Sequence, residues 1–185
     1  MPGGVPMATE IKLPSVAEIQ EFFFEVALLG YAGGGKFIRE HTLLPEKNFT
    51  YHDPNKHLLC IDSYRTNGEF SSEEMIIYFM KFGEAIWTPL WSMQYHGWCK
   101  VEGKKKYIAF LKERLREAYE KKVFEGGRGY FHNANKKLFY SNEFHGGFEK
   151  CFGYEKIDEL CDDTQIRNVF WHRYQCLLLF KVEAD

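Results

Sequence analysis

The chain has 185 residues, a length typical of one domain that buries its own hydrophobic core. Its 24 Lys and Arg and 26 Asp and Glu give a formal net charge of −2, which does not favour nucleic acid or anionic membrane as a partner. Aromatic residues make up 17% of the sequence, a share that favours either a thick core or an aromatic-lined cavity.

The cysteines and the amino-terminal segment bear on the compartment. Five cysteines without a regular spacing favour reduced thiols over a disulfide framework. Residues 1–14 contain no apolar signal region, and we interpret them as a disordered leader or tag remnant. No later stretch stays apolar for the roughly 18 residues of a membrane span. The sequence therefore predicts a cytoplasmic protein with a single domain over residues 15–185.

The first predicted element is a helix that begins directly after Pro14. Ser15 and Glu18 have the spacing of a capping box, in which each side chain accepts a hydrogen bond from the other residue's backbone. Apolar residues then recur at spacings of three and four, as on one buried helix face: Val16, Ile19, Phe23 and Val26. Gly30 follows this pattern and ends the predicted helix.

A second helix is predicted from about Lys104 to Lys122, with Gly126-Gly127 after it. Elsewhere, short runs rich in Tyr, Phe, Ile and Trp alternate with turn residues, which predicts antiparallel strands. The turns are Asp53-Pro54-Asn55, Asn67-Gly68, Phe82-Gly83 and His145-Gly146-Gly147. The expected class is α+β, with two helices packed on a curved antiparallel sheet or incomplete barrel.

The order of helix and strands occurs twice, over residues of about 15–100 and 104–181. Glu74-Met75-Ile76 resembles Glu155-Lys156-Ile157, and the run from Trp91 to Tyr95 resembles the run from Phe170 to Tyr174. Our hypothesis is an internal duplication within one pseudo-twofold domain. Such symmetry would bring paired positions of the two halves to a shared cleft.

Several motifs resemble a known family: Tyr31-Ala32-Gly33-Gly34-Gly35, Ile61-Asp62-Ser63-Tyr64, Trp91-Ser92-Met93-Gln94-Tyr95-His96-Gly97, Phe110-Leu111-Lys112-Glu113, Arg128-Gly129 and Phe152-Gly153-Tyr154-Glu155-Lys156-Ile157. The family is the mainly bacterial, uncharacterised domain of unknown function 5680. Members occur alone or behind an Xre-type helix-turn-helix. The resemblance spans roughly residues 17–179 and implies a stand-alone domain without an assigned activity.

The candidate site residues come from these motifs and from strand alternation. Glu74 and Glu155 occupy equivalent positions in the proposed halves, and two nearby carboxylates can act as acid and base or orient a ligand. Alternation also predicts facing aromatic stripes on two strands. The predicted ligand-binding residues are Asp62, Glu74, Trp91, Tyr95, Arg128, Glu155, His172 and Tyr174. The spacing of Cys and His predicts no metal site, and no motif indicates a cofactor.

Three classes of function stay open at this point. The favoured one is a small-molecule-binding module, because an aromatic-lined concavity with a few convergent polar groups is the usual form of such a site. The first alternative is a metal-independent hydrolase-like or lyase-like enzyme that uses Glu74 and Glu155. The second is a protein-interaction module with exposed aromatic residues, and a homo-oligomer stays open. For each glutamate, the competing explanation is a structural ion pair.

Overall fold

Two helices and nine strands make up the part of the chain that the computed structural model describes, namely residues 12–35, 38–40, 46–80, 87–124, 131–133, 137–162 and 165–180. In chain order they are α1 (Val16–Leu29), β1 (Ile38–Glu40), β2 (Glu46–Asp53), β3 (Leu58–Thr66), β4 (Phe70–Met80), β5 (Trp87–Cys99), α2 (Lys104–Glu120), β6 (Phe131–Asn133), β7 (Leu138–Gly146), β8 (Lys150–Asp162) and β9 (Gln165–Leu178). The predicted α+β class is confirmed.

All nine strands form one open antiparallel sheet in the order β1-β2-β3-β4-β5-β9-β8-β7-β6. The structure has turns at three of the four predicted places. Asp53-Pro54-Asn55 connects β2 to β3, Asn67-Gly68 connects β3 to β4, and His145-Gly146-Gly147 connects β7 to β8. The fourth, Phe82-Gly83, lies outside the described residues, as does Gly126-Gly127.

Helix α1 begins with the predicted capping box. The backbone N–H of Ser15 donates to Glu18 Oε2 at 2.7 Å, and the backbone N–H of Glu18 donates to Ser15 Oγ at 3.3 Å. These bonds satisfy two of the amide groups that a helix start leaves without partners. The pKa of the Glu18 carboxyl is lowered, chiefly because it accepts the hydrogen bond from the Ser15 backbone.

Aromatic packing joins α1 to both the sheet and α2. Phe23, which is fully buried, makes edge contacts with Trp91 on β5 at 5.2 Å and with Tyr119 on α2 at 5.7 Å between ring centroids. Trp91 also stacks on Phe148 at 4.9 Å and donates its indole N–H to the Phe148 carbonyl at 2.7 Å. Trp91 is therefore a core residue whose polar atom is satisfied within the core.

Helix α2 is anchored to β8 at its amino-terminal end. The Tyr107 hydroxyl donates to Glu159 Oε2 at 2.7 Å, and Lys106 forms an ion pair with the same carboxylate. Burial, followed by the bond to Glu159, raises the pKa of Tyr107 to about 12. Neither helix in the described part of the chain has the length and apolar character needed to cross a membrane.

The centre of the sheet is the pairing of β5 with β9, where Tyr95 lies directly opposite Tyr174. From this pair outward, the order is β4, β3, β2 and β1 on one side and β8, β7 and β6 on the other. The two predicted halves thus contribute strands in mirrored order to one sheet. The duplication itself stays a prediction, because strand order alone does not establish a common origin.

The predicted reduced state of all five cysteines is wrong for two of them. Cys151 on β8 and Cys176 on β9 lie directly opposite each other, with their Cα atoms 4.9 Å apart, and their sulfur atoms form a disulfide. Cys60, Cys99 and Cys161 are free. Sequence spacing did not reveal the pair because the antiparallel register, and not the separation of 25 residues, brings the two side chains together.

We predict that reduction destabilises the protein. A cross-link over 25 residues restricts the unfolded chain, so reduction is expected to lower the free energy of unfolding by about 2–4 kcal/mol. Urea unfolding with and without reductant measures this difference. The Cys161→Ser variant should keep the full effect and Cys176→Ser should lose it, whereas equal stability of the oxidised and reduced protein would contradict the prediction.

Candidate functional site

A chain of hydrogen bonds crosses five neighbouring strands, from β4 to β7, on the face of the sheet that carries the core. The Tyr140 hydroxyl donates to Glu155 Oε2 at 2.7 Å, and Glu155 Oε1 lies 3.2 Å from His172 Nδ1. The other ring nitrogen, His172 Nε2, lies 3.3 Å from Ser71 Oγ. We call Ser71, His172, Glu155 and Tyr140 the polar relay.

The polar relay is buried at one end and partly exposed at the other. Glu155 is 0% exposed and His172 is 7% exposed, whereas Ser71 has intermediate exposure. A buried carboxylate requires donors; the Tyr140 hydroxyl supplies one, and we assign the imidazole proton to His172 Nδ1 because its neighbour there is the Glu155 carboxylate. With its proton on Nδ1, the neutral imidazole presents Nε2 as an acceptor for the Ser71 hydroxyl. The chemically available end of the relay is therefore at Ser71.

Gly97 on β5 makes the contact between His172 and Ser71 geometrically feasible. In the sheet register, Gly97 lies between Ser71 on β4 and His172 on β9. A Cβ atom at this position would lie 2.0 Å from His172 Cδ2 and 2.1 Å from the Trp171 carbonyl oxygen. The imidazole therefore lies over a strand position that has no side chain, and from there it reaches a residue two strands away.

Gly153 on β8 has a similar role beside the relay. A Cβ atom there would lie 2.2 Å from the Tyr174 hydroxyl. The Tyr174 ring extends over this glycine, and its hydroxyl donates to Asn142 Oδ1 on β7 at 2.6 Å. Two glycines thus allow two rings of β9 to lie across neighbouring strands.

Hydroxyl groups surround the exposed end of the relay. Tyr64 on β3 lies close to Thr66 and Ser71, whose side chains lower the pKa of its phenol. Burial is the main cause that raises the pKa of the Tyr64 phenol, so the group stays neutral and keeps its proton. Burial also raises the pKa of the nearby Cys99 thiol, which therefore stays protonated.

The structure brings four of the predicted residues together. The Tyr95 ring centroid lies 6.3 Å from that of Tyr174 and 6.4 Å from that of His172, and His172 contacts Glu155. The Tyr95 hydroxyl donates to Met93 Sδ at 2.7 Å. The aromatic stripes predicted from alternation are therefore adjacent, and they lie inside the core.

Glu74 and Glu155 do not share a cleft. Glu155 lies opposite His172, and the matching position on the other side of the β5–β9 pair is Met75, which lies opposite Met93. Glu74 is one residue away, so it points to the opposite face of the sheet, where it accepts a hydrogen bond from Gln94 at 2.9 Å. The predicted equivalence of the two glutamates is thus wrong by one residue.

The other predicted residues lie apart from the relay or outside the described chain. Asp62 is 1% exposed on β3, where it lies opposite Met75. Trp91 is in the core, and Arg128 lies outside the described residues. Three cavities of about 480 to 500 Å³ lined by described residues include none of the eight predicted ligand-binding residues.

Sequence reasoning missed Ser71, Tyr140 and Gly97 as parts of the site. The run Met75-Ile76-Ile77 is apolar at every position, so alternation alone does not show whether the odd-numbered or the even-numbered residues of β4 face the core. Had the register been known, Ser71 would have been placed on the face of Met75, because the two residues are four positions apart. Within the described residues, no group of three or more His, Cys, Asp and Glu side chains converges as a metal site.

We predict that Gly97→Ala disrupts the relay and destabilises the fold. The added methyl group would overlap His172 and the neighbouring backbone, which is expected to cost about 1–3 kcal/mol or more. Gly147 has open space around its Cβ position, so Gly147→Ala is the matched control and should change stability little. Urea unfolding of both variants measures the difference, and equal stability would contradict the proposed role of Gly97.

A second prediction separates the two glutamates. Glu155→Gln replaces a buried carboxylate between two donors and is expected to lower the free energy of unfolding by about 2–4 kcal/mol. Glu74→Gln, on the opposite face, should stay within about 0.5 kcal/mol of wild type. NMR of the His172 ring should also report an altered imidazole only in Glu155→Gln. Similar effects of both substitutions would show that the buried pair has no special role.

Comparisons with known proteins identify a family but no activity. The model of a domain of unknown function, DUF5680, matches residues 62–174. Comparisons with curated proteins and with solved structures give no match. The matched range runs from β3 to β9 and includes all four residues of the polar relay. Because this match covers more than half of the chain, the protein belongs to the DUF5680 family.

Proposed function

We propose that this domain binds a small polar molecule at the exposed end of the polar relay. The observation that carries the proposal is the fully buried Glu155 carboxylate, which is linked through His172 to the partly exposed Ser71. A buried acid–imidazole pair contributes little net stability compared with a well-packed apolar pair. It does supply a polarised donor and acceptor at a defined position, which is what ligand recognition requires.

The other side of the sheet supports the view that the fold does not need this pair for packing. At the matching positions of β4 and β5, Met75 and Met93 fill the space with buried apolar side chains. The same architecture is thus packed with two methionines on one side and with a carboxylate and an imidazole on the other. A polar pair where apolar packing suffices is typical of functional sites.

The surroundings of the relay favour a neutral ligand with a carbonyl or hydroxyl group. Ser71 and Tyr64 offer hydroxyl groups that both donate and accept. The Glu73 carboxylate lies on the same face of β4, opposite Tyr64, and disfavours an anionic ligand. Aromatic rings flank the imidazole, with Phe170 at 4.4 Å and Tyr95 at 6.4 Å between centroids. These rings are buried, so they hold the imidazole in an apolar environment behind the polar contact.

The two alternative functions fare differently. An enzyme with Glu74 and Glu155 as its acid and base lacks support, because the two carboxylates point to opposite faces of the sheet. A protein-interaction module stays a prediction. Apolar side chains such as Phe70, Phe152 and Leu177 are 53%, 60% and 48% exposed, but nothing indicates what would cover them.

We predict that fragments with a carbonyl or hydroxyl group bind at Ser71. In a screen by two-dimensional NMR, binding fragments should shift the amide signals of Ser71, Gly97 and His172 in a saturable manner. Ser71→Ala should weaken this binding by about tenfold, the usual effect of one lost hydrogen bond.

The neighbouring serine gives the matched control. Ser72 lies on the opposite face of β4 and is exposed, so Ser72→Ala should leave fragment binding unchanged. His96→Asn is a second control, because His96 is exposed on the other face of β5. Fragment binding confined to the outer face, or equal binding by Ser71→Ala and wild type, would contradict the proposed function.

A further inference from the structure

The geometry points to an acyl-transfer site in which Ser71 is the nucleophile, His172 the general base and Glu155 the residue that orients the imidazole. This inference deepens the proposed function, because it rests on access of a small carbonyl compound to Ser71. The substrate class is a small uncharged ester. The order of groups from Ser71 Oγ through His172 to Glu155 is the order in which a nucleophile, a base and an orienting acid must stand.

Four neighbouring strands, β4, β5, β9 and β8, hold these groups, so their positions are fixed by the sheet. Ser71 lies on β4, His172 on β9 and Glu155 on β8, while Gly97 on β5 leaves the space that the imidazole occupies. The Ser71 Oγ to His172 Nε2 distance of 3.3 Å is slightly longer than the roughly 2.6–3.2 Å of a tightened nucleophile–base pair. Such pairs are often looser before substrate binds.

The relay accounts for every proton in the reaction. As Ser71 Oγ forms a bond to the ester carbonyl carbon, its proton moves to His172 Nε2, and the Glu155 carboxylate stabilises the imidazolium. The tetrahedral intermediate collapses, and the leaving alcohol takes that proton from His172. Water then attacks the acyl group on Ser71, with His172 accepting a proton from the water and returning it to Ser71 Oγ. The products are a carboxylic acid and an alcohol.

Tyr64 is placed to stabilise the developing oxyanion. Its phenol lies close to Ser71, whose side chain lowers the pKa of Tyr64, and Tyr64 pairs with Glu73, two positions from Ser71 on the same face of β4, so the phenol is near any carbonyl group that Ser71 attacks. A neutral phenol donates a hydrogen bond, and tyrosine hydroxyls serve this purpose in known oxyanion sites. Tyr140 differs, because it contacts Glu155 and acts as a positioning residue for the relay.

The test uses a fluorophosphonate probe on the full chain. Ser71 Oγ would attack phosphorus and release fluoride, leaving a covalent adduct that intact-mass and peptide mass spectrometry locate. We expect one label on Ser71, none in Ser71→Ala and an unchanged rate in Ser72→Ala. Loss of the base in His172→Asn should slow labelling by about 100-fold or more. Tyr64→Phe should slow hydrolysis of p-nitrophenyl acetate by about 100-fold.

Two further readouts keep the result decisive if a variant folds poorly. The labelling rate of wild type should rise with pH through the titration of a single base and then level off, and urea-unfolded protein should not be labelled at Ser71. Labelling that is absent, or that is equally fast at Ser71 and Ser72, would overturn the acyl-transfer site. If fragments still bind at Ser71 in that case, the proposed binding function stands without it, whereas loss of both results removes both proposals.

Discussion

The antiparallel pairing of β5 with β9 is the interaction on which the rest of the structure depends. These strands belong to different halves of the chain, and their ladder joins β1 to β4 on one side with β6 to β8 on the other. The register sets Tyr95 against Tyr174 and Gly97 against His172. A shift of one residue would turn every side chain of β9 to the other face of the sheet. Fold and relay therefore share one constraint.

The three strands nearest to this central pair follow in matching order on each side, but the inner face of the sheet differs between the two sides. On the β4 side, Met75 and Met93 lie opposite each other, whereas on the β8 side the matching residues are Glu155 and His172. Four residues away along these strands, the polar residue is on the β4 side. There Ser71 lies opposite Gly97, and the matching residues on the β8 side are Cys151 and Cys176, which form the disulfide. The relay is thus present once, although the sheet offers two similar places for it.

The chemistry of the relay follows from where it is buried. Glu155 and Tyr140 lie within the core, so their hydrogen bonds form in a medium of low dielectric constant and hold the imidazole firmly. Ser71 is the second residue of β4, and at this beginning of the strand the inner face becomes partly exposed. The relay thus has its carboxylate in the core and its hydroxyl group where the inner face becomes partly exposed.

The sequence alone determined the elements of this protein. The capping box at Ser15 and Glu18, the apolar spacing of α1 and the turn residues between strands act over a few positions, so local physical rules predicted both helices, the antiparallel strands and the α+β class. The tyrosines and the histidine of the aromatic stripes were also found, since alternation along one strand reveals them.

Only the tertiary structure decided which side chains meet. The disulfide, the contact of His172 with Ser71 across Gly97, and the separation of Glu74 from Glu155 all depend on the register between strands far apart in the chain. In β4, apolar residues occur at odd-numbered and even-numbered positions alike, so the alternation that usually identifies the buried face of a strand is lost. Because side chains alternate at every residue, an error of one position in the alignment of the two halves exchanged a core methionine for a surface glutamate.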